Sequence, residues 1–253
     1  LNRYKILHTA FERFDANAPG YRNFCTEQSY WLDDFSMYMA LKEANGNKGW
    51  YEWNDGLKYR KKQYIDKAKK ELKREIEFCC FCQYEFFRQW KDLKTYANKR
   101  GIEIIGDIPL YVAYDSADVW AEPEQFLLNG HNEMESVAGC PPDAFSDDGQ
   151  KWGNPLYNWE KMNADGFSWW KKRMQANAGL FDVIRIDHFI GLVRYYTIPA
   201  HDPDGRNGKW MRGPGRELTD VIESAVGSTK IIAEDLGVFV PGVKKLIEKT
   251  GWP

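Results

Sequence analysis

Apolar positions along the 253-residue chain follow two different periods. In residues 1–100 they recur every three or four residues, the spacing of helices that bury one face. Trp31, Phe35, Tyr38, Met39 and Leu41 mark one helix over residues 30–43, and Asn45-Gly46 is its stop. A second stripe, from Ile65 through Ala68, Leu72, Ile76, Cys80, Tyr84 and Phe87 to Trp90, runs through residues 64–99. That is longer than most globular helices, so the pattern leaves open one long helix or two with a bend. Arg100-Gly101 ends it with a basic residue and a C-cap glycine.

Beyond Gly101 the period changes. Three short β-branched runs, at residues 102–108, 182–186 and 230–233, each follow a helical stretch that ends in glycine: Gly101, Gly179 and Gly227. Each run carries an acid at or next to its end: Asp107, Asp187 and Glu234. Nearly continuous apolar strands alternating with helices predict parallel β/α units. In a β/α barrel, active sites are built at the C-terminal ends of the strands. A single strand-end Asp is often only a helix N-cap; three strand-end acids in succession argue for chemistry instead. The expected organisation is a helical subdomain over residues 1–100 and a catalytic α/β part over residues 101–253. Residues 129–158 and 187–216, punctuated by Asn129-Gly130, Pro141-Pro142, Asp202-Pro203-Asp204-Gly205 and Gly213-Pro214-Gly215, are expected as long loops shaping a cleft.

Composition narrows the function classes. The formal net charge of −2, from 35 basic and 37 acidic side chains, gives no electrostatic reason for a nucleic-acid or membrane partner. No run of 18 apolar residues exists to span a membrane, and no basic-then-apolar segment opens the chain. The five cysteines do not form a disulfide framework; the crowding of Cys79, Cys80 and Cys82 fits reduced core thiols in a cytoplasmic protein better than a metal site. Asp202 and Asp204 lack the glycine and glutamate offsets of a calcium loop, and no glycine-rich nucleotide loop is present, so no metal or cofactor is expected. Aromatics reach 15%, with 11 Trp, which suits stacking on sugar rings and equally suits a ring-filled core. The chain opens at Leu1 and stops at Trp252-Pro253, which reads as an internal piece of a longer protein.

Glycosidic bond cleavage needs two flanking carboxyl groups, one ionised to attack the anomeric carbon and one protonated to serve the leaving oxygen. Asp187 and Glu234, at the tips of consecutive strands, can supply that pair. Adjacent strands lie about 4.8 Å apart, compatible with the roughly 5–5.5 Å carboxyl separation of a retaining enzyme. Arg185, two residues before Asp187, points to the same side of its strand and would keep that carboxylate ionised.

These residues lie in longer motifs. The segment Val183-Ile184-Arg185-Ile186-Asp187-His188-Phe189 resembles the nucleophile segment of the amylomaltase (4-α-glucanotransferase) family, glycoside hydrolase family 77 of the α-amylase clan. Ala233-Glu234-Asp235-Leu236-Gly237 is similar to its acid/base segment. Ile105 to Ala113, Asp115 to Trp120, Ala138 to Phe145 and Gly149 to Tyr157 are similar to further signatures, and residues 30–43 to its all-helical subdomain. The resemblance implies an α/β fold: part of a (β/α)8 TIM barrel, about strands three to five, with a helical insertion. It implies Asp187 as nucleophile and Glu234 as acid/base on a maltooligosaccharide or other α-1,4-glucan. Arg185 would orient Asp187, His188 would contact the sugar, and Asp143, Gln150 and Trp152 would lie in a loop over the glucan. Trp152 is open to two readings, stacking on a sugar or packing under that loop; Asp107 is expected as a supporting carboxylate. The clan's third catalytic Asp, in a His-Asp motif after Glu234, has no counterpart here, and the family's first barrel strands have none either. The expectation is therefore an active parent and a piece with negligible turnover. Two other readings stay open: a hydrolase using the same dyad, and a non-catalytic glucan-binding fragment.

Overall fold

The computed structural model describes residues 2–144, 146–235 and 240–253, so Phe145, Leu236 and Gly237 of the motifs above lie outside the described residues. The chain divides into two compact units, one of Leu1–Leu93 with Asp115–Ala121 and one of Lys94–Tyr114 with Glu122–Pro253. The second motif of the strand–turn signature, Asp115 to Trp120, therefore belongs with the helices.

The first unit holds α1 (Asn2–Phe11), α2 (Pro19–Glu27), α3 (Ser29–Ala44), α4 (Asp55–Lys58), α5 (Lys62–Glu71), most of α6 (Lys73–Asn98) and α7 (Ala117–Ala121). Helix α3 buries Leu32, Met37, Tyr38 and Leu41, and at its end the Asn45 side chain donates to Leu41 O (2.7 Å), which also accepts the Asn45 backbone N–H (2.9 Å). Gly46 and Asn47 then turn the chain through the left-handed region (φ 68° and 62°). The long stripe is two helices, broken at Leu72 (φ −106°, ψ 24°). Rings fill the space between helices: Phe14 packs on Tyr21 (5.0 Å), Phe81 (4.8 Å) and Tyr84 (6.0 Å), and Phe24 on Phe87 (5.4 Å). Tyr38, Trp53 and Trp120 form a second cluster, and Trp50 is fully buried. Beside it Asp115 accepts hydrogen bonds from Tyr38 Oη (2.5 Å) and the Trp50 amide (3.3 Å) and pairs with Lys42. Much of the aromatic excess is thus core. The thiols sit in the same packing, where burial pushes Cys79 up to about 12 and Cys80 to about 11.

The second unit is α/β. Strands β1 (Ile105–Ile108), β4 (Val183–Ile186) and β7 (Lys230–Ala233) form a parallel sheet in the order β1-β4-β7. Register is unbroken across the central strand: Val183 pairs Ile105 and Lys230, Ile184 pairs Gly106 and Ile231, Arg185 pairs Asp107 and Ile232, and Ile186 pairs Ile108 and Ala233. Two of these rows, from Gly106 and Ile108, are buried throughout, with Ile184 and Ile186 at 0% exposure. Helices α8 (Trp159–Ala164), α9 (Ser168–Leu180), α10 (Ile190–Val193), α11 (Arg216–Val226) and α12 (Pro241–Thr250) complete the unit, with α9 packed on α11. The Phe181 ring occupies the place where a Cβ on Gly106 would stand (2.1 Å), so any larger residue there has to displace that ring. On the opposite face Ile105 is 59% exposed, above an open cleft of about 560 Å³ that also touches Val183, Ile232, Val226 and Trp252. The outer edge of β7 is met at Ala233, whose N–H donates to Pro253 O (2.8 Å).

Three details depart from expectation. The first strand starts at Ile105 rather than Ile102, because the Ile104 N–H donates to the Asp182 carboxylate (2.8 Å) instead of entering the ladder. Gly179 lies inside α9, which runs on to Leu180, whereas Gly101 (φ 73°) and Gly227 (φ 60°) do turn the chain left-handed. The two segments expected as loops carry strands: β2 (Ser136–Cys140) and β3 (Gln150–Pro155) in residues 129–158, β5 (Arg194–Pro199) and β6 (Lys209–Arg212) in residues 187–216. They form an antiparallel sheet in the order β3-β2-β5-β6, cored by Val137, Tyr196 and Ile198. Its edge strands are polar and exposed, and a bulge between Val137 and Gly139 interrupts the alternation, which is why turn residues dominated the pattern. Lys151 on β3 ties the strands together by donating to the carbonyls of Ala200 (2.7 Å) and Asp202 (2.6 Å).

Candidate active site

The parallel ladder delivers the two acids. The Asp187 N–H donates to Ile108 O (3.0 Å) and the Glu234 N–H to Ile186 O (3.1 Å), so each residue is held at the first position beyond its strand. Asp187 and Glu234 thereby occupy one row of the extended ladder, on neighbouring strands. Asp107 is not in that row. It pairs in register with Arg185, two positions earlier, and the residue level with Asp187 and Glu234 is Pro109.

That offset explains the electrostatics. Arg185 Nη1 donates to both Asp107 oxygens (2.7 Å each) and lies 3.4 Å from Asp187 Oδ1. The expected Arg185–Asp187 contact exists, but Asp107 is the tighter partner and its hydrogen bond is the main cause that raises the Arg185 pKa. Asp107 therefore anchors the cation, and the cation faces Asp187.

His188 continues from Asp187 in a left-handed conformation (φ 55°), rare for a non-glycine residue. Its backbone N–H donates to Glu234 Oε2 (2.8 Å), and its carbonyl accepts from Gly191 N–H (2.9 Å) at the start of α10. Burial pushes its imidazole below the ordinary histidine range, with Asp187 opposing, so the ring is neutral at neutral pH. Its Nε2 is buried and makes no hydrogen bond among the described residues.

From the antiparallel sheet, β3 contributes two of the expected residues. The Trp152 indole meets the His188 ring edge-to-face (4.8 Å, 84°), and its Nε1 donates to Gln150 Oε1 (3.0 Å). Trp152 is 37% exposed, so one part of the ring packs and the rest faces solvent. Asp143 makes turn contacts: its carboxylate accepts from Ser146 N–H (2.9 Å) and its own N–H donates to Ser146 O (3.0 Å). These two bonds hold Asp143 in its own turn.

Tyr111, to which the sequence reading gives no role, belongs to the group. It is 7% exposed, stacks on Tyr157 (5.8 Å) and lies 6.2 Å from Trp152 and 6.4 Å from His188. Its position just after the Ile105–Ile108 strand was the available signal. Arg173 also went unread: it donates to the carbonyls of Pro109 (2.5 Å) and Leu110 (3.0 Å) while lying over the Trp169 and Trp170 rings, and so fixes the exit of β1. Among the described residues no cluster of three metal-ligating side chains occurs, and no helix is long and apolar enough to cross a membrane.

Comparison with known proteins accords with this geometry. The family model of 4-alpha-glucanotransferase matches residues 1–253. The 4-alpha-glucanotransferase of Clostridium butyricum is 44% identical over 253 residues, covering 99% of this chain and 52% of the relative. That of Thermus thermophilus is 41% identical over 256 residues, covering 99% of this chain and 51% of the relative. Among solved structures, amylomaltase from Streptococcus agalactiae in complex with acarbose superposes with a TM-score of 0.94 at 38% identity, over 100% of this chain and 52% of that one. The chain spans about half the length of these relatives. With the family model matched from end to end, the chain belongs to the 4-alpha-glucanotransferase family.

Proposed function

We propose that the whole protein carrying this chain transfers α-1,4-glucan segments between maltooligosaccharides by a retaining double displacement. The observation that supports this best is the shared row of Asp187 and Glu234 at the ends of adjacent parallel strands, each locked by a backbone hydrogen bond. Asp187 attacks the anomeric carbon while Glu234 gives its proton to the departing O4 of the leaving glucan, and a glucosyl ester forms on Asp187. The 4-hydroxyl of an acceptor glucan then attacks that ester as Glu234 takes its proton back. Arg185, anchored by Asp107, favours ionised Asp187. The unpaired Nε2 of neutral His188 is available to a sugar hydroxyl, and the exposed part of Trp152, held by Gln150, offers a stacking face. Asp143 belongs to the turn that carries this edge toward the glucan.

The β1-β4-β7 sheet suits about strands three to five of a (β/α)8 barrel, with residues 1–100 as the helical subdomain and residues 101–253 as the barrel part. The five free cysteines suit a cytoplasmic enzyme that needs no metal or cofactor. Incubating the whole protein with maltotriose tests the reading. Longer and shorter oligomers with retained α configuration by NMR are expected; glucose and maltose without longer products would mean hydrolysis, and no change would mean binding only.

A further inference from the structure

We infer that the main chain of His188 positions Glu234, and that Trp152 is the positioning residue that holds His188 in the conformation this needs; the inference rests on Glu234 being the acid/base. The segment after β4 grips Glu234 at three points. Ile186 O accepts its N–H (3.1 Å), its carbonyl accepts from Phe189 N–H (3.3 Å), and its Oε2 accepts from His188 N–H (2.8 Å). The last of these reaches the reacting carboxyl itself, so the His188 amide bears directly on the orientation of the proton-transfer group.

That amide belongs to a residue with φ 55°. A side chain resists this region, so it persists only where the surroundings over-determine it. Hydrogen bonding of the ring does not do so, because Nε2 is buried without a partner among the described residues. Packing does: the imidazole meets the Trp152 indole at 4.8 Å and lies near the buried Tyr111 ring at 6.4 Å, while its Cδ2 lies close against Gly191, 3.2 Å from where a Cβ would stand. Trp152 thus reaches Glu234 through His188: strand β3 presses the ring, the ring holds the turn, and the turn aims the amide. Seating a glucan against the exposed part of the indole would press the same turn, linking occupancy of the cleft to alignment of the acid/base.

The test compares variants of the whole protein that remove the same ring but differ in tolerance for a left-handed backbone. Asn enters that region readily and Val does not. Both His188→Asn and His188→Val lose the sugar contact and raise KM. Only Val is expected to lose a further ~100-fold in kcat, the scale of a misaligned catalytic group, and to displace the alkaline limb of the pH–kcat/KM profile. His188→Ala should fall between them and serves if Val folds poorly by near-UV circular dichroism. Trp152→Ala should lower kcat about tenfold, Trp152→Phe much less, and Trp152→Ala should add nothing to the kcat loss already present in His188→Val. Equal kcat and pH profiles for Asn and Val, or a Trp152→Ala loss that multiplies in the Val background, would overturn the inference. Crystal structures of the same variants give a readout independent of turnover: the His188 N to Glu234 Oε2 contact should persist with Asn and break with Val. If the wild type makes no oligomers from maltotriose, the transferase reading fails, and the crystal structures still decide the positioning.

Discussion

The two sheets of the α/β unit use their strands differently. The parallel sheet consists of four-residue strands in unbroken register, with two rows buried throughout, and the two acids leave it one residue past its end. The antiparallel sheet has a bulge next to Gly139, edge strands whose residues are mostly exposed, and its contributions to the site, Gln150 and Trp152, lie on the edge strand β3. The two acids thus sit where many backbone bonds set their position. Gln150 and Trp152 sit on an outer strand, where side chains reach solvent and the backbone has one partner instead of two.

That contrast can be broken or sharpened by measurement. The largest effect is expected at the parallel sheet: in the whole protein Asp187→Asn should cost about 10⁴-fold or more in transfer with the unfolding midpoint nearly unchanged, and a variant keeping a tenth of the activity would end the nucleophile assignment. Asp107→Asn comes next. It loosens Arg185 without touching the dyad, and about a 10–100-fold fall in kcat is expected; wild-type kcat would show that the Arg185 anchor is dispensable. Stability should separate the sheets in the opposite sense. A Cβ at Gly139 meets the backbone oxygen of Gln150 (2.1 Å), whereas one at Gly106 meets the Phe181 ring (2.1 Å), which can swing away in part. Gly139→Ala should therefore cost roughly 3 kcal/mol and Gly106→Ala roughly 1–2 kcal/mol in urea unfolding; the reverse order would mean that the parallel sheet is the less tolerant.

Two smaller effects follow. His188 is held below its ordinary value of 6.5, so below about pH 6.5 the unfolded chain binds a proton that the folded chain does not. Stability should fall as pH drops through that window, and His188→Asn should flatten the fall; an unchanged slope would show that other groups dominate. Cys140 on β2 is pushed up to about 11, by burial first and by Asp143 second, so alkylation at pH 7.5 should be slow. If the exposed-edged antiparallel sheet opens before the parallel one, the alkylation rate should rise in mild urea before global unfolding. Labelling that tracks global unfolding would place both sheets in one cooperative unit.

What was legible in the sequence follows from burial. The runs at Val183–Ile186 and Lys230–Ala233 are read directly, because a strand covered on a face by helices must be β-branched and nearly continuous. The stripe of the long helical pair was equally plain, but not its break at Leu72, since the apolar spacing continues through it. Gln150–Pro155 could not be read as a strand: it is polar, exposed and followed by nothing periodic. Arg194–Pro199, by contrast, holds Tyr195, Tyr196, Thr197 and Ile198, a strand signal overridden by the glycines and prolines around it. At the site, residue types pointed to Asp187, Glu234 and Arg185. The two-residue offset of Asp107, the amide of His188 and the role of Tyr111 depend on register, backbone angle and packing, none of which residue type encodes.

The unbroken register of the parallel sheet has a consequence for how such a protein can change over generations. The position of each acid is fixed by counting residues from its partner strands, and a one-residue deletion inside Val183–Ile186 would turn Asp187 to the opposite side of the sheet and bring His188 into its place. The chain between the strands carries no such constraint. Length variation should therefore accumulate in turns outside both sheets, such as residues 200–208 between β5 and β6, while the spans from Ile105 to Ile108 and from Val183 to Phe189 keep their length as strictly as a reading frame does.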